Sequence, residues 1–428
     1  YDSWKRHTDA IRQGKEKDLL GFYIHMPYCK TNCTFCVYPS KTMANDKQLD
    51  TYVDQVLEKM KLFAPLFKGL TFKTFYMGGG TPSVLSKEQL DTLFSNLFSL
   101  FEFEEAGERA IEFNPSTTTL EKLKILEKHK FNKFSIGVQS LSKRVLAINK
   151  RVYQTEDMVR SALDAFKQCN LNYSNVDLIL GLKGDTVDEF LYSFEKLCQM
   201  GPHNICIYPV KTNGKYIDEN YSDFKEFETF YYPLFDGVTE KINAIAKKND
   251  FYGAQDNDIK SYVKPIIFYN KSISSIEPKY WYSHFSPEPY SLFCLGQYSH
   301  SRIVNQMDYR YVDKEKRDSM FLKNFSENHQ DFAYDVDLIS PRFERVKFIV
   351  RNFYKHRSVN RAEYLGRYGN DIAKDFPYAI EALKILGVIS LSPEQLIFKD
   401  LDEKLYYQYL LFFVGRKNVL EKTGPMHQ

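Results

Sequence analysis

The chain has 428 residues, of which 43% are hydrophobic and 26% are charged, and its formal net charge is only +3. Because this length exceeds what one hydrophobic core normally organises, we expect one large domain and at least one smaller domain. The near balance of charge excludes a surface built to coat nucleic acid.

Six short β-rich runs recur along the first half of the chain and predict strands at 21–26, 72–79, 109–113, 131–139, 173–182 and 204–210. Between the first two runs, apolar side chains from Leu49 to Phe63 fall on one stripe at helical spacing. Comparable stripes occupy 87–101, 119–128, 156–168 and 187–199. Strand and helix in alternation imply parallel strands with right-handed crossovers. The sequence therefore predicts an α/β fold, a partial (β/α)6 TIM-like barrel, with its chemistry at the carboxyl ends of the strands.

The alternation of predicted strands and helices ends after Val210. Residues 211–335 are rich in Tyr, Asn, Asp and Ser and show weak periodicity, so their topology stays open. Helical patterns return at 342–356 and 378–388, followed by a short strand-like run at 396–400, and these predict a small, mainly helical C-terminal domain. We therefore expect the following domains: an N-terminal extension at 1–20, the barrel core at 21–215, an extension that covers the barrel at 216–335, and the helical domain at 336–428.

Targeting signals and cysteine usage bear on the compartment. No apolar run approaches the roughly 20 residues of a membrane span, and the charged residues 1–21 have no signal-peptide core. Seven cysteines, an odd number, argue against a full disulfide framework. These features predict a cytoplasmic protein with reduced thiols and with no membrane partner.

Three of those cysteines stand within eight positions in the stretch "YIHMPYCKTNCTFCVYP", residues 23–39: Cys29, Cys33 and Cys36. Their spacing is also one face of a helix, but the flanking prolines and the turn-forming Thr and Asn residues disfavour a helix. A zinc site with His25 as the fourth ligand is a second reading, although His25 lies inside the first predicted strand. A disulfide with one spare thiol is a third, disfavoured in the cytoplasm. Three thiolates on a loop are best explained by a four-iron cluster with one iron left open for another ligand.

Other predicted strand ends carry residues suited to a ligand. The second ends in "MGGGTPS", where residues 78–81 offer backbone N–H groups without bulky side chains. Glu112 lies in the apolar third strand and Asp177 in the apolar fifth, and such carboxylates need partners. Gln139 ends the fourth strand, and Arg151 supplies a fork suited to a carboxylate.

The cysteine spacing after a first barrel strand, with Phe35 before the last cysteine, resembles the radical S-adenosylmethionine (SAM) superfamily. Together with "GGGTPS", "FSIGVQSL", "NKR" and "DLILGL", it resembles the oxygen-independent coproporphyrinogen dehydrogenase-like subfamily over residues 20–210, and more weakly through "FCLGQYSHSRI" (293–303). The resemblance implies a 4Fe–4S cluster on the three cysteines and a second SAM near Leu295–Tyr298. It implies SAM contacts at Tyr23, Phe35, Gly78, Gly79, Gly80, Thr81, Glu112, Gln139, Arg151 and Asp177. It also implies a low-potential electron donor such as flavodoxin or ferredoxin.

The subfamily contains several activities. Coproporphyrinogen dehydrogenases usually continue the cluster loop with a Gly-Cys pair, where this chain has Val37-Tyr38. Haem chaperones carry His-Asn before a Tyr-Trp pair, and here Tyr280-Trp281 has no His-Asn before it. We therefore expect a third activity, in which a second SAM is used to methylate or cyclopropanate an unsaturated or aromatic small molecule. The aromatic runs "FETFYYPLF", "FYGAQDND" and "KYWYSHF" are candidate walls for a flat, conjugated substrate, with a structural core as the even alternative. Coproporphyrinogen-type oxidative decarboxylation, anaerobic haem modification and haem binding remain alternatives, and no catalytic side chain is assigned.

Overall fold

The computed structural model describes residues 1–43, 45–212, 214–253, 265–273, 290–311, 334–399 and 406–414. Its chain divides into two compact units. The first unit contains Tyr1–Lys279, Ser291–Ser301 and Tyr309–Asp335. The second contains Tyr280–Tyr290, Arg302–Asp308 and Val336–Gln428. The Tyr280-Trp281 pair and the run "KYWYSHF" lie outside the described residues, as do the last five residues of "FYGAQDND".

Strands up to residue 295 are β1 Leu19–Met26, β2 Tyr28–Cys29, β3 Lys41–Thr42, β4 Thr71–Gly79, β5 Glu102–Phe113, β6 Lys133–Gln139, β7 Tyr173–Leu180, β8 Asn204–Pro209, β9 Phe251–Gly253, β10 Ile266–Asn270 and β11 Tyr290–Leu295. The main sheet places β11, β1, β4, β5, β6, β7, β8, β10 and β9 side by side in that order. Neighbouring strands from β1 to β8 pair in parallel, whereas β10 is antiparallel to both β8 and β9. This is the (β/α)6 partial barrel that the sequence predicted, with its strand ends on one side.

Helices of the first unit are α1 Asp2–Arg12, α2 Lys47–Phe67, α3 Lys87–Leu100, α4 Leu120–Lys128, α5 Lys143–Ile148, α6 Glu156–Lys167, α7 Val187–Met200, α8 Gly214–Asn220 and α9 Phe224–Lys248. Four crossover helices begin at a Ser or Thr whose hydroxyl accepts a backbone N–H bond from the first turn: Ser86, Thr119, Thr155 and Thr186. These caps fix where each helix starts after a strand-end loop. The barrel strands pack between this helical layer and a polar interior.

The predicted strands and crossover helices match the structure to within a few residues, except that β5 begins seven residues earlier than expected. The aromatic run "FETFYYPLF" is different, because it forms the first half of α9. Phe227, Tyr231 and Phe235 recur at helical spacing and are buried at 5% exposure or less. Of the two alternatives for this run, a pocket wall or a structural core, the burial of these rings supports the core, since the helical repeat turns them inward.

In the second unit the described helices are α10 Pro341–His356, α11 Arg361–Tyr368, α12 Ile372–Asp375, α13 Pro377–Ile385 and α14 Tyr406–Val414. The strands β15 Ser358–Asn360, β16 Ile389–Leu391 and β17 Gln395–Phe398 form an antiparallel sheet in the order β15, β17, β16. Three further strands, β12 His300–Ile303, β13 Met307–Tyr311 and β14 Tyr334–Leu338, precede α10. The second unit therefore joins its helices to a small sheet, of which the sequence predicted one strand. The four domain boundaries given above stay a prediction.

Within the described parts of the chain, none of the helices has both the length and the apolar character needed to cross a membrane.

Candidate active site

The cysteine-bearing segment, residues 27–42 and here named the cluster loop, follows β1 at the carboxyl end of the sheet. Its two ends are joined by the parallel pairing of β2 with β3, and the N–H groups of Lys41 and Met43 donate to the carbonyls of Pro27 and Cys29 at 2.7 and 2.9 Å. The hydroxyl of Thr34 donates to the Asn149 side chain at 3.2 Å. The loop is therefore closed at its base and tied at its tip, and it is not a helix.

Two of the three sulfurs accept hydrogen bonds from other strand ends. The Thr81 hydroxyl lies 3.4 Å from Cys29 Sγ, and Arg151 Nη1 lies 3.5 Å from Cys33 Sγ. Cys36 is exposed, and its Sγ lies 3.9 Å from the carbonyl of Tyr38. Burial raises the pKa of the Cys29 thiol, and although Cys36 is exposed as a residue, desolvation of its thiol raises its pKa to about 11. Across the described residues no three His, Cys, Asp or Glu side chains converge as they would on one metal ion.

The glycine tract at the end of β4 packs against β1, Glu112 and the cluster loop without room for side chains. The N–H of Gly80 donates to the carbonyl of Met26 at 2.6 Å, and that of Thr81 to the carbonyl of Tyr28 at 2.9 Å. A Cβ at Gly80 would lie 2.6 Å from the Tyr28 carbonyl oxygen, and Gly79 has a positive φ of 111°. Gly78 precedes them in β4, opposite the Glu112 carboxylate. Gly80 and Thr81 therefore contact the cluster loop, whereas Gly78 faces Glu112 and Gly79 faces His25.

Glu112 on β5 is the first of two carboxylates in the barrel interior. Tyr76 donates a hydrogen bond of 2.6 Å to Glu112 Oε1, and the Gly79 N–H also donates to this side chain. Burial raises the pKa of Glu112 to about 7, and the charge of Asp177 acts in the same direction. Near neutral pH this group exchanges between neutral and charged forms, so a cationic or hydroxyl partner would favour the charged form.

Asp177 on β7 is the second. Ser135 donates to it at 3.0 Å and the Asn175 amide at 2.6 Å, and Asn204 donates in turn to Asn175. Burial raises the pKa of Asp177 to about 6. These polar groups of the barrel interior, together with Glu112, are here named the lumen network. It holds both carboxylates in fixed orientations and leaves each of them partly accessible.

Gln139 and Arg151 complete one wall. Gln139 ends β6 with a positive φ of 68°, at a shift in the pairing with β7, and its Oε1 is buried without a hydrogen-bond partner within the described structure. An unsatisfied buried acceptor is costly, which indicates a place for a ligand donor. Arg151 is buried, and it donates to the Gln154 side chain at 3.0 Å and to the carbonyl of Gly137 as well as to Cys33.

Tyr23 and His25 lie on β1 just before the cluster loop, and Phe35 lies within the loop next to Cys36. Phe35 is buried, and Tyr23 is half-buried with its ring 6.0 Å from that of Tyr76 and nearly parallel to it. His25 Nδ1 is 3.1 Å from the Tyr23 hydroxyl and its Nε2 is 3.0 Å from the Pro39 carbonyl. Burial lowers the pKa of His25 to about 4, so the ring is neutral. Both ring nitrogens are occupied by protein groups, as expected of a supporting histidine.

Leu295–Tyr298, the region expected to hold a second SAM, follows β11 next to β1. Tyr298 has a positive φ of 68°, and its ring meets the His25 ring edge-on at 6.2 Å. Cys294 is buried, and its Sγ lies 2.9 Å from the carbonyl of His300. This region therefore reaches the base of the cluster loop through His25, and its role in binding SAM stays a prediction.

Sequence reasoning missed several residues that meet here. Tyr76, Ser135 and Asn175 hold the two carboxylates; the signal was available, since polar residues two positions from Asp177 or opposite it interrupt otherwise apolar strands. Lys211 lies just after β8, with its Nζ 3.5 Å from the Tyr38 hydroxyl and 5.1 Å from the centre of the Tyr38 ring. Burial lowers the pKa of Lys211, and the Cys36 thiol opposes that change. No sequence pattern joins residues 38 and 211, because their proximity depends on the closing of the barrel.

The chain is similar to one family model and to several known proteins. Residues 23–197 match the model of the radical SAM superfamily. The chain is 30% identical over 189 residues to oxygen-independent coproporphyrinogen III oxidase of Escherichia coli strain K12, covering 44% of this chain and 41% of that protein. It is 23% identical over 372 residues to the heme chaperone HemW of Bacillus subtilis strain 168, covering 86% of this chain and 92% of the relative.

Among solved structures, coproporphyrinogen III oxidase (HemN) from Escherichia coli matches with a TM-score of 0.76 and 16% identity, covering 96% of this chain and 93% of that one. At this identity the match shows a shared fold. In sequence, the chain spans only 41% of the length of the first curated relative it matches.

Proposed function

We propose that this chain is a radical SAM enzyme acting on a tetrapyrrole or a related carboxylate-bearing molecule, because residues 23–197 match the model of the radical SAM superfamily, a family that uses a 4Fe–4S cluster and SAM. The observation that carries the proposal is the meeting of the three cysteines, the glycine tract and the lumen network at one end of the barrel. The names of the relatives supply the substrate class.

The residues present fit the two cofactors. Cys29, Cys33 and Cys36 would hold the cluster, and two of their sulfurs already accept hydrogen bonds, which stabilises a sulfur with negative charge. Gln139 Oε1 is a buried acceptor that needs a donor, as SAM hydroxyl or ammonium groups would provide. The tract of three glycines keeps backbone close to the cluster loop. The single open cluster position of a three-cysteine motif suits a chelating ligand.

When bound, the cluster supplies the electron that cleaves SAM to a 5′-deoxyadenosyl radical, which takes a hydrogen atom from the substrate. The chain's own residues would orient the bound SAM and shield it from water. Glu112 and Asp177 would receive hydroxyl or ammonium groups, while Tyr76, Ser135 and Asn175 fix their oxygens. Arg151, anchored on Gln154, places a cation beside Cys33. Tyr23 and Phe35 supply apolar surface that excludes water.

We favour hydrogen abstraction from a propionate side chain, the chemistry of a coproporphyrinogen oxidase. Loss of that hydrogen atom, release of carbon dioxide and transfer of one electron to an acceptor would leave a vinyl group. Similarity to proteins of that name supports this reaction over the methylation or cyclopropanation expected above. The Val37-Tyr38 departure from the usual Gly-Cys pair remains, so the substrate is not fixed by similarity alone.

The experiment is anaerobic reconstitution with iron and sulfide, then reduction with SAM in the presence of coproporphyrinogen III. We expect 5′-deoxyadenosine together with a decarboxylated tetrapyrrole, and neither product from Cys29→Ala. Deoxyadenosine without any tetrapyrrole product would contradict the substrate class. A protein that holds its cluster and binds haem in a one-to-one complex, but cleaves no SAM, would be a haem-binding chaperone instead.

One observation favours a second candidate, one-carbon transfer from a second SAM. The chain after β11 approaches the base of the cluster loop through the His25–Tyr298 ring contact, as a second cofactor site beside the first would require. This candidate predicts S-adenosylhomocysteine in addition to deoxyadenosine, with methyl or cyclopropane products. Measuring both nucleosides in the same reaction separates the two candidates.

A further inference from the structure

Position 38 is where this chain departs from the usual cluster loop, and the structure gives that departure a partner. Tyr38 is 56% exposed and lies two residues after Cys36. Lys211, just beyond the carboxyl end of β8, places its ammonium group 5.1 Å from the centre of the Tyr38 ring. The pair therefore joins the first and last strands of the parallel barrel across its open mouth.

The Lys211 ammonium group is available for a ligand. It carries three N–H donors, and its described polar contact is the long one to the Tyr38 hydroxyl at 3.5 Å. No Asp or Glu of the described chain lies within ion-pair distance of it. Arg151, by contrast, already donates one hydrogen bond from each of its three side-chain nitrogens, to Gln154, Gly137 and Cys33. Of these two cations, Lys211 is therefore the one whose N–H donors are available to a bound ligand.

The ring and the cation together suit one kind of molecule. A tyrosine face at a site entrance packs against a flat, conjugated surface, and an unpaired ammonium group beside it attracts a carboxylate. The two carboxylates deeper in the barrel, Glu112 and Asp177, would repel a second anion there. A carboxylate-bearing substrate is therefore directed to approach with its acidic edge toward the mouth.

We propose that Tyr38 and Lys211 form the substrate-recognition pair of this enzyme, in which Lys211 binds a substrate carboxylate and the Tyr38 ring packs against a pyrrole ring of the substrate. This inference rests on the proposed function for its substrate class. It makes position 38 a determinant of specificity in place of the usual cysteine.

The test uses the anaerobic, cluster-loaded protein and two probes, coproporphyrin III, which carries four carboxylates, and its uncharged tetramethyl ester. Binding is followed by porphyrin fluorescence for the wild type, Lys211→Met, Lys211→Arg and Tyr38→Leu. The matched control is Lys196→Met, because Lys196 lies 5.7 Å from the ring centre of Tyr192 on α7, away from the strand ends. Cluster absorbance and melting temperature show that each variant is folded and loaded.

We expect Lys211→Met to weaken binding of the acid by about fivefold, the effect of one exposed ion pair, and to leave binding of the ester unchanged. Lys211→Arg should restore binding of the acid, and Tyr38→Leu should weaken binding of both probes. Lys196→Met should bind both probes as the wild type does. Equal losses for acid and ester, no loss in Lys211→Met, or no binding of the acid by the wild type would each overturn the inference. Failure of the proposed function is read separately, as absence of deoxyadenosine from the wild-type reaction.

Discussion

The cluster loop and the lumen network are adjacent, yet they are held in different ways. In the lumen, Glu112 and Asp177 receive hydrogen bonds from tyrosine, serine and amide groups of the barrel strands. The cluster loop is closed at its base, and its sulfurs depend on two donors from elsewhere, Thr81 and Arg151. The strands thus hold the lumen carboxylates in fixed orientations, whereas two of the loop sulfurs each receive one hydrogen bond from outside the loop. Changes in the loop should therefore act on cofactor retention, and changes in the lumen on protonation.

The largest effect is expected from the loop cysteines. Cys29→Ala should reduce cluster content and SAM cleavage by at least about 100-fold, beyond the loss typical of a residue that only supports a ligand. Iron content, absorbance and deoxyadenosine formation are the measurements. Cys169→Ala is the control, since Cys169 lies near the end of α6, where its thiol donates to the Ala165 carbonyl. Equal cluster content in the two variants would contradict the assignment.

Gly80→Ala tests whether the loop needs the glycine tract as its support. The added Cβ would lie 2.6 Å from the Tyr28 carbonyl oxygen and 3.0 Å from Cys29 Sγ. Overpacking of this kind costs about 1–3 kcal/mol, so we expect a lower melting temperature and weaker cluster retention. Gly366→Ala on α11 is the matched control, because its Cβ meets nothing within 4 Å. There the better helix former should raise stability by about 0.5–1 kcal/mol. A Gly80→Ala protein that is as stable as the wild type and retains a full complement of cluster would show that the loop does not need a glycine at this position.

Glu112→Gln tests the lumen through pH. In the folded protein without cofactors, Glu112 keeps its proton up to about pH 7, whereas the unfolded chain releases it near the ordinary value of 4.5. The folded state therefore holds more protons in this window, so the free energy of unfolding falls as pH rises from about 4.5 to about 7. Glutamine removes that fall and still accepts from Tyr76.

Denaturant unfolding at pH 5 and pH 8 is the measurement. Wild type and Glu112→Gln should be similar at pH 5, and the variant should be more stable by about 2 kcal/mol at pH 8. A difference that is the same at both pH values would mean that Glu112 is already ionised in the folded protein.

Thr81→Val should have the smallest effect, because it removes one hydrogen bond to Cys29 Sγ and nearly conserves volume. Hydrogen bonds to cluster sulfurs favour the reduced state. We expect the reduction potential to become more negative by about 40 mV, the one-electron equivalent of a hydrogen bond of about 1 kcal/mol. Potentiometric titration measures it, and Thr51→Val on the exposed face of α2 controls for the substitution. An unchanged potential would remove Thr81 from the electrostatics of the cluster.

The sequence was informative where structure is local. Helical stripes and apolar runs predicted the barrel, and polar residues within or after its strands predicted candidate ligand contacts at Glu112, Gln139, Arg151 and Asp177. What it missed depends on distant pairing. The Tyr38–Lys211 contact needs the barrel to close, and antiparallel β10 follows a segment without periodicity.

Aromatic composition alone did not decide the role of one run. The residues that begin at Phe227 were candidates for a pocket wall or for the core, and their rings repeat every four residues and pack into the core. Periodicity therefore deserved more weight than residue type in that segment. Conversely, no role was predicted for Asn175 and Asn204, although polar side chains in apolar strands normally require partners.

The three consecutive glycines at the end of β4 determine which second-site changes could compensate for a substitution among them. A side chain at Gly78 would meet Tyr76 and Glu112, one at Gly79 would meet His25 and Met26, and one at Gly80 would meet Tyr28 and Cys29. Each position is thus constrained by a different pair of neighbours. A suppressor screen should find that a second-site change relieving one glycine substitution leaves the other two defective, so the tract would behave as three separate loci.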